Sequence, residues 1–458
     1  MAQFLSAGAN MGATATNTIG IANAVASVNN LVNPSAGTAP GANFPATGTA
    51  PAARLNTLAN LLNTCTTAAS ASATACASLF TQATASGGSA PANVLEAARN
   101  IALHPGNNVS GLYALAENSG VFAPAITAAP PDWTLYATYS GGGMNTPTTL
   151  AVDSKGNIWV ASYFGVVSAF STTGIPMFAS GVTGNGLGTS YGLAIDASDN
   201  VWVTNEPGTQ SSVSEFTSSG SAIADDTAGG IDYPVSIAID TSGSLWVVDY
   251  GNSHLTLLAS NGSPLSGASG YSSSIFSFPV AVAVDSNRNG YLANQGSTEI
   301  AKVSPDGSSI TGIDCCNGAG GIAVDAQNNV WVANYYGNSV SFVSSSGTVI
   351  NSNITGGGII HPQGIAVDGA GTVWTANVLA PSLSEIAGAN ASSPGTVLSP
   401  SAGWAPDAGM LWPLAVAIDA SGNLWVANYG SSSNGSITEF IGLAVPVKTP
   451  MLGPPQAP

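Results

Sequence analysis

Apolar positions along this chain are spaced for strands, and the spacing recurs. A run such as Gly364-Ile365-Ala366-Val367 ends in Asp368, four small or polar positions follow, and Val373-Trp374-Thr375-Ala376-Asn377 comes next. The same pattern is written seven times, on Asp153, Asp196, Asp240, Asp285, Asp325, Asp368 and Asp419, at intervals of 40 to 51 residues. Two places before each aspartate stands an alanine. Six places after stands a tryptophan, with Tyr291 the single departure. A period in this range marks a repeat architecture.

Each unit reads as a hairpin followed by more strand. The turn after the aspartate has Gly156, Asp199, Gly243, Arg288, Asn328, Gly371 or Gly422 at its third position. All but the arginine are residue types that tolerate a left-handed backbone. The aspartate opens this turn and can accept its backbone N–H groups, so the seven carboxylates read as turn staples. A catalytic group would not be needed seven times. Val-Trp-Val-Ala-Asn is apolar on both faces, which suits a strand covered on both sides. A third strand follows, as in Ser212–Phe216, Ser339–Val343 and Ser436–Phe440, and then a looser fourth segment. Radial stacking of small sheets covers both faces of each. The pattern therefore predicts an all-β, seven-bladed β-propeller with four-stranded blades over residues 131–447. The alanines belong near the axis, where sheets converge, and the tryptophans in the wider gap further out.

The remaining segments are placed by exclusion. Residues 1–130, rich in Ala, Thr and Asn, predict a small helical region with helices opening at Pro51 and Pro91, the second ending at His104-Pro105-Gly106. Residues 34–50 read as an extended connector. Trp133–Tyr139 has strand character but no complete unit before it, so it is expected to join the last blade and close the ring. Residues 448–458, rich in proline, are expected to form a surface tether.

The repeat units resemble NHL repeats, in particular the tryptophan-bearing NHL-like repeats of large secreted bacterial proteins. His361-Pro362-Gln363-Gly364-Ile365-Ala366-Val367-Asp368 and Val330-Trp331-Val332-Ala333-Asn334-Tyr335-Tyr336-Gly337-Asn338 carry that resemblance best. More broadly, the chain is similar to the gluconolactonase and streptogramin lyase propellers, which implies specific expectations. Gluconolactonase-type sites hold a divalent metal with Glu, Asn and Asp at the channel mouth. Glu206, Asp249 and Asn334 are the candidates here, although no family motif aligns them. Amidating lyases use histidine-bound zinc, and only His254 and His361 fall in the propeller, so that site cannot be built in the same way. Streptogramin-lyase chemistry needs a histidine base. His361 precedes Pro362 where other units carry Tyr233, Phe278 or Trp412, and it reads as a packing residue at that edge. The family's usual length places the start of this chain inside a longer exported protein.

Composition narrows the partners. Six Lys and Arg face 23 Asp and Glu, for a net charge of −17, which argues against nucleic acid and anionic membrane surfaces. No run of eighteen apolar residues occurs, so no transmembrane helix is expected. Met1-Ala2-Gln3-Phe4-Leu5 lacks the cationic start of a signal peptide. Cys65 and Cys76 flank a Ser/Thr/Ala loop, and their pairing would be worth roughly 3 kcal/mol in the chain-entropy model. Cys315 and Cys316 are adjacent, either a vicinal disulfide or two free thiols. No Cys-x-x-Cys with a companion histidine points to zinc. A local disulfide places the protein outside the cytosol, extracellular or on the cell surface.

In a propeller, loops leaving the second strand and loops entering the first meet on one face. Here they include Asn205-Glu206-Pro207, Tyr250, Asn294-Gln295, Tyr335, Tyr336 and Tyr429, with Asp232-Tyr233, Asp314-Cys315-Cys316, His361, Asp407 and Trp412 on the entering side. Oxygen ligands on this face could take a calcium ion, but solvated loop residues are the simpler account and no cofactor is assigned. Tyr250, Tyr335, Tyr336, Trp412 and Tyr429 suit stacking on a sugar or a peptide side chain. The favoured reading is a non-catalytic extracellular recognition or scaffolding propeller for a protein or glycan. The competing readings are a metal-dependent lactonase or lyase at the channel mouth and, third, a surface-layer or fibre subunit.

Overall fold

The computed structural model describes residues 2–5, 11–70, 73–117, 119–206, 211–430 and 435–458. Seven antiparallel sheets are arranged as predicted. Blade 1 begins with Pro147–Val152, blade 2 with Thr189–Ile195, blade 3 with Pro234–Ile239 and blade 4 with Pro279–Val284. Blades 5, 6 and 7 begin with Ala319–Val324, Pro362–Val367 and Pro413–Ile418. Blades 2 to 5 have four strands each. In blades 1 and 6 the outer edge is reduced to isolated bridges, such as Val167 to Val182 and Leu383 to Trp404.

The core lies between the blades. Each of seven apolar clusters joins the tryptophan or tyrosine of one blade to the first strand of the next, as Trp159 meets Leu193 and Ile195. The six repeat tryptophans are among the largest fully buried side chains. Burial of an indole contributes roughly 4–6 kcal/mol before entropy is counted. The alanines two places before the aspartates line the axial channel.

Ring closure also follows the expected route. Tyr136–Tyr139 pairs antiparallel with Ser436–Phe440 of blade 7. Gly48–Thr49 pairs with the same strand from outside, so the 34–50 segment supplies a fifth strand to that blade. Tyr139 Oη donates to Glu439 Oε2 at 2.9 Å, which adds a buried side-chain bond to the seam.

Three expectations change. Among its described residues the N-terminal region holds five α-helices, not two: α1 (Thr18–Leu31), α2 (Ala52–Thr66), α3 (Thr74–Gln82), α4 (Val94–Leu103) and α5 (Val109–Ala116). Alanine-rich stretches without clear apolar periodicity are helical here because they pack on partners, around Leu61, Leu79, Ile101 and Leu112. Helix α4 starts three residues after Pro91, because Asn93 and Glu96 form a reciprocal cap: Glu96 N donates to Asn93 Oδ1 and Ala92 N to Glu96 Oε2. The C-terminal segment is not a surface tether. Thr449 Oγ1 donates to the Asp153 carbonyl at 2.8 Å and Gly453 N to the Ile239 carbonyl at 3.0 Å, so the tail crosses the channel mouth on the aspartate-turn face. Prolines suit this path because they carry no N–H that a strap without a strand partner would leave unpaired.

Helix α1 lies on that same face. Asn17 Nδ2 donates to the Ala420 carbonyl and Ser421 Oγ to the Gly20 carbonyl, each at 2.9 Å. Gly20 is required there, since a Cβ would collide with the Ala420 carbonyl. Helix α2 is fixed to the propeller by buried Arg54, which pairs with Asp407, donates to the Thr134 carbonyl and covers the Tyr136 ring. The tail and α1 thus strap one face of the ring, while the described lining of the funnel on the other comes from blade residues alone.

Candidate functional site

The funnel face is built by three positions of the repeat, two present in every blade and the third in five of the seven. Each first strand carries an irregularity in its pairing just after its first residues, as between Pro234 and Ser236. A bulge re-aims side chains. The residue five places before each aspartate sits there and lines a funnel: Thr148, Tyr191, Val235, Val280, Gly320, Gln363 and Leu414. The position four after each tryptophan or Tyr291 opens the loop leaving the second strand: Tyr163, Glu206, Tyr250, Gln295, Tyr335, Val378 and Tyr429.

The third position, seven before the aspartate, has a distinctive backbone. Thr146, Tyr233, Phe278, His361 and Trp412 all have positive φ, between 45° and 57°, and each precedes a proline. For bulky residues this is an outlier that the surroundings must hold in place. The hold is visible. The Tyr233, Phe278, His361 and Trp412 carbonyls accept from Tyr250, Gln295, Val378 and Tyr429 N at 3.0 to 3.2 Å. Their own N–H groups reach the preceding blade in three cases, Tyr233 to Ser211 Oγ, Phe278 to Ser253 Oγ and His361 to Asn338 Oδ1.

The result is a belt of rings. Phe278, Tyr250, Tyr233, Tyr191, Tyr163, Tyr429 and Trp412 follow one another with centroids 5.4 to 6.2 Å apart. Across the mouth Tyr335 meets Tyr336 at 5.2 Å and His361 at 4.8 Å. These are tilted or edge contacts, which aromatic quadrupoles favour. The funnel measures about 600 Å³. Among the described residues that line it none carries a carboxylate, ammonium or guanidinium, and the Glu206 carboxylate stands beside it, hydrogen-bonded to Tyr233.

All five predicted aromatic positions fall on this face. Trp412 and Tyr336 are exposed, while Tyr250, Tyr335 and Tyr429 are half-buried. Sequence reading missed Tyr163, Tyr191 and Gln363. The signal for Tyr163 was its register, identical to that of Tyr250, Tyr335 and Tyr429. Tyr191 and Gln363 could not be aimed without knowing the bulge.

The three metal candidates are not gathered. Glu206 is half-buried at the end of its strand, and Pro207 lies outside the described residues. Asn334 Nδ2 donates to Ser339 Oγ and Ser341 Oγ inside blade 5. Asp249 occupies the same place in blade 3 and accepts from Thr256 Oγ1 at 2.7 Å and from Asp232 N. Burial pushes its carboxyl up to about 8, at a position where five other blades carry asparagine. Among the described residues no three His, Cys, Asp or Glu side chains are grouped to hold a metal ion. His361 Nδ1 is buried without a hydrogen-bond partner. Cys65 pairs with Cys76 and Cys315 with Cys316. Among the described residues no helix is long and apolar enough to cross a membrane.

No known family model matches this chain, and no curated protein sequence does. Solved structures do match in fold. A virginiamycin B lyase from Staphylococcus aureus is similar with a TM-score of 0.51 and 16% identity, over 66% of this chain and 98% of that one. A streptogramin B lyase is similar with a TM-score of 0.53 and 13% identity, over 66% of this chain and 97% of that one. At such identity the likeness is one of fold: the chain resembles that broad group of propellers in architecture.

Proposed function

We propose that this protein is a non-catalytic recognition propeller acting outside the cell, which binds an uncharged region of a glycan or protein on its tyrosine-lined face. The observation that carries this reading is the belt of aromatic rings around a funnel whose described lining is uncharged, with the Glu206 carboxylate against Tyr233 at its rim. Tyrosine offers a rigid apolar body and a hydroxyl, which suits adaptable contact with polar neutral surfaces. The Gln295 and Gln363 amides add donors and acceptors at the same rim. Two disulfides support an oxidising compartment.

The test is a glycan and peptide array probed with the wild-type chain and with a Tyr250→Ala, Tyr429→Ala double variant. Selective binding that the variant loses, at unchanged thermal stability, supports the reading. Binding unaffected by the double change overturns it. A stoichiometric divalent ion lost in Glu206→Gln, with lactone or ester turnover, turns the assignment to the competing metal-dependent enzyme.

A further inference from the structure

Below the funnel the channel continues into a second space. This chamber, about 210 Å³, is walled by the Leu, Ile, Val and Ala side chains of all seven first strands. Its floor is the C-terminal tail, through Thr449, Met451, Gly453 and Pro455. The single hydroxyl on the wall, Thr449 Oγ1, is already bonded to the Asp153 carbonyl. Leu193, Ile237, Val282, Ile322, Ile365 and Val416 border both spaces, so the chamber lies directly under the funnel. The inward-facing positions between are small: the seven alanines, with Gly192, Gly321 and Gly364 above them. The channel is therefore polar and aromatic at its mouth and apolar further in, with the tail lying across its far end.

We propose that the channel takes a neutral single-chain amphiphile, with an uncharged polar head in the tyrosine funnel and its alkyl chain in the apolar chamber. The inference rests on the tyrosine face being the recognition surface and goes beyond it by naming what enters. Head chemistry follows from the lining: an anionic head finds no cation and meets the Glu206 carboxylate beside Tyr233, whereas hydroxyls meet tyrosine and glutamine. Chain length follows from volume. A cavity of ~150 Å³ takes the six carbons of benzene, so this chamber has room for about eight. A chain fits better than a ring system because the throat is a stack of small residues along one axis.

The experiment is a titration of two homologous series below their micelle concentrations: methyl to dodecyl β-D-glucosides and the glycerol monoesters of acetic to dodecanoic acid. Affinity is expected to rise about fourfold per methylene and to level off near eight carbons. Met451→Trp adds bulk at the chamber floor without altering a blade residue, and should flatten that slope while methyl glucoside binding is unchanged. Ala323→Leu, which narrows the wall, should act in the same direction. Affinity that is flat from methyl to octyl overturns the amphiphile while leaving the recognition reading in place. A slope that survives in Met451→Trp overturns it too, since the chain must then bind elsewhere. Failure of both series to bind also overturns it, and the recognition reading then stands or falls on the array.

Discussion

The Asp153 carboxylate accepts the indole N–H of Trp159, six residues further on, at 3.1 Å. The bond recurs from Trp202, Trp246, Trp331, Trp374 and Trp425 to their own aspartates at 3.0 to 3.3 Å. In blade 4 the Tyr291 hydroxyl takes the same place at 3.4 Å. The other carboxylate oxygen accepts the turn's backbone N–H groups two and four residues on. One side chain thus closes the turn and fixes the ring that fills the gap to the next blade.

Removing this carboxylate strands several buried donors at once. Asp325→Ala should lose about 2–4 kcal/mol in urea unfolding. Trp159→Tyr, which copies the arrangement of blade 4, should lose less than half as much as Trp159→Ala.

The seam offers a second test. Tyr139→Phe keeps the ring stack on Trp425 but leaves Glu439 Oε2 without that donor. A loss of about 1–3 kcal/mol is expected, with an unchanged denaturant slope because the ring still closes through backbone pairing.

Stability should fall as pH rises. Burial pushes the Glu439 carboxyl up to about 8 and Glu385 to about 7, against 4.5 for an ordinary glutamate. The folded protein thus holds protons that the unfolded chain releases. Their contribution is complete below about pH 4.5 and is lost as pH climbs towards 8. For Glu439 a shift of that size corresponds to on the order of 5 kcal/mol. Thermal melts should be highest near pH 5, and Glu439→Gln should reduce the slope.

The left-handed residues before proline predict an unusual substitution pattern. Trp412, half-exposed with φ +50°, should tolerate glycine within about 0.5 kcal/mol, since relief of strain offsets the freedom gained by the unfolded chain. Trp412→Val should lose about 1–2 kcal/mol, because a β-branched residue is poorly accommodated there. Differential scanning calorimetry of the two variants separates backbone strain from lost side-chain contact.

Much of this architecture was legible because it is periodic. Ala, Asp and Trp at fixed offsets announce a wedge between sheets, and the ring-closing strand Tyr136–Tyr139 was found as the piece left over. The helices α1, α3 and α5 were not legible, since their helicity comes from packing on the propeller and on one another. The tail was misplaced because proline content indicates an irregular path but not where it runs. At the mouth, Tyr250, Tyr335 and Tyr429 could be read from loop position. Tyr191 and Gln363 depended on a bulge that only pairing register reveals.

The rim residues sit on a backbone whose shape does not depend on them. The same left-handed turn carries threonine, tyrosine, phenylalanine, histidine and tryptophan at positions 146, 233, 278, 361 and 412. The loop position opposite carries tyrosine, glutamate, glutamine and valine within this one chain. Hydrogen bonds between neighbouring blades set the shape, so the side chains are interchangeable letters in a fixed frame. Selection can rewrite what this mouth prefers by point substitution alone, without insertions and without disturbing the seven wedges beneath.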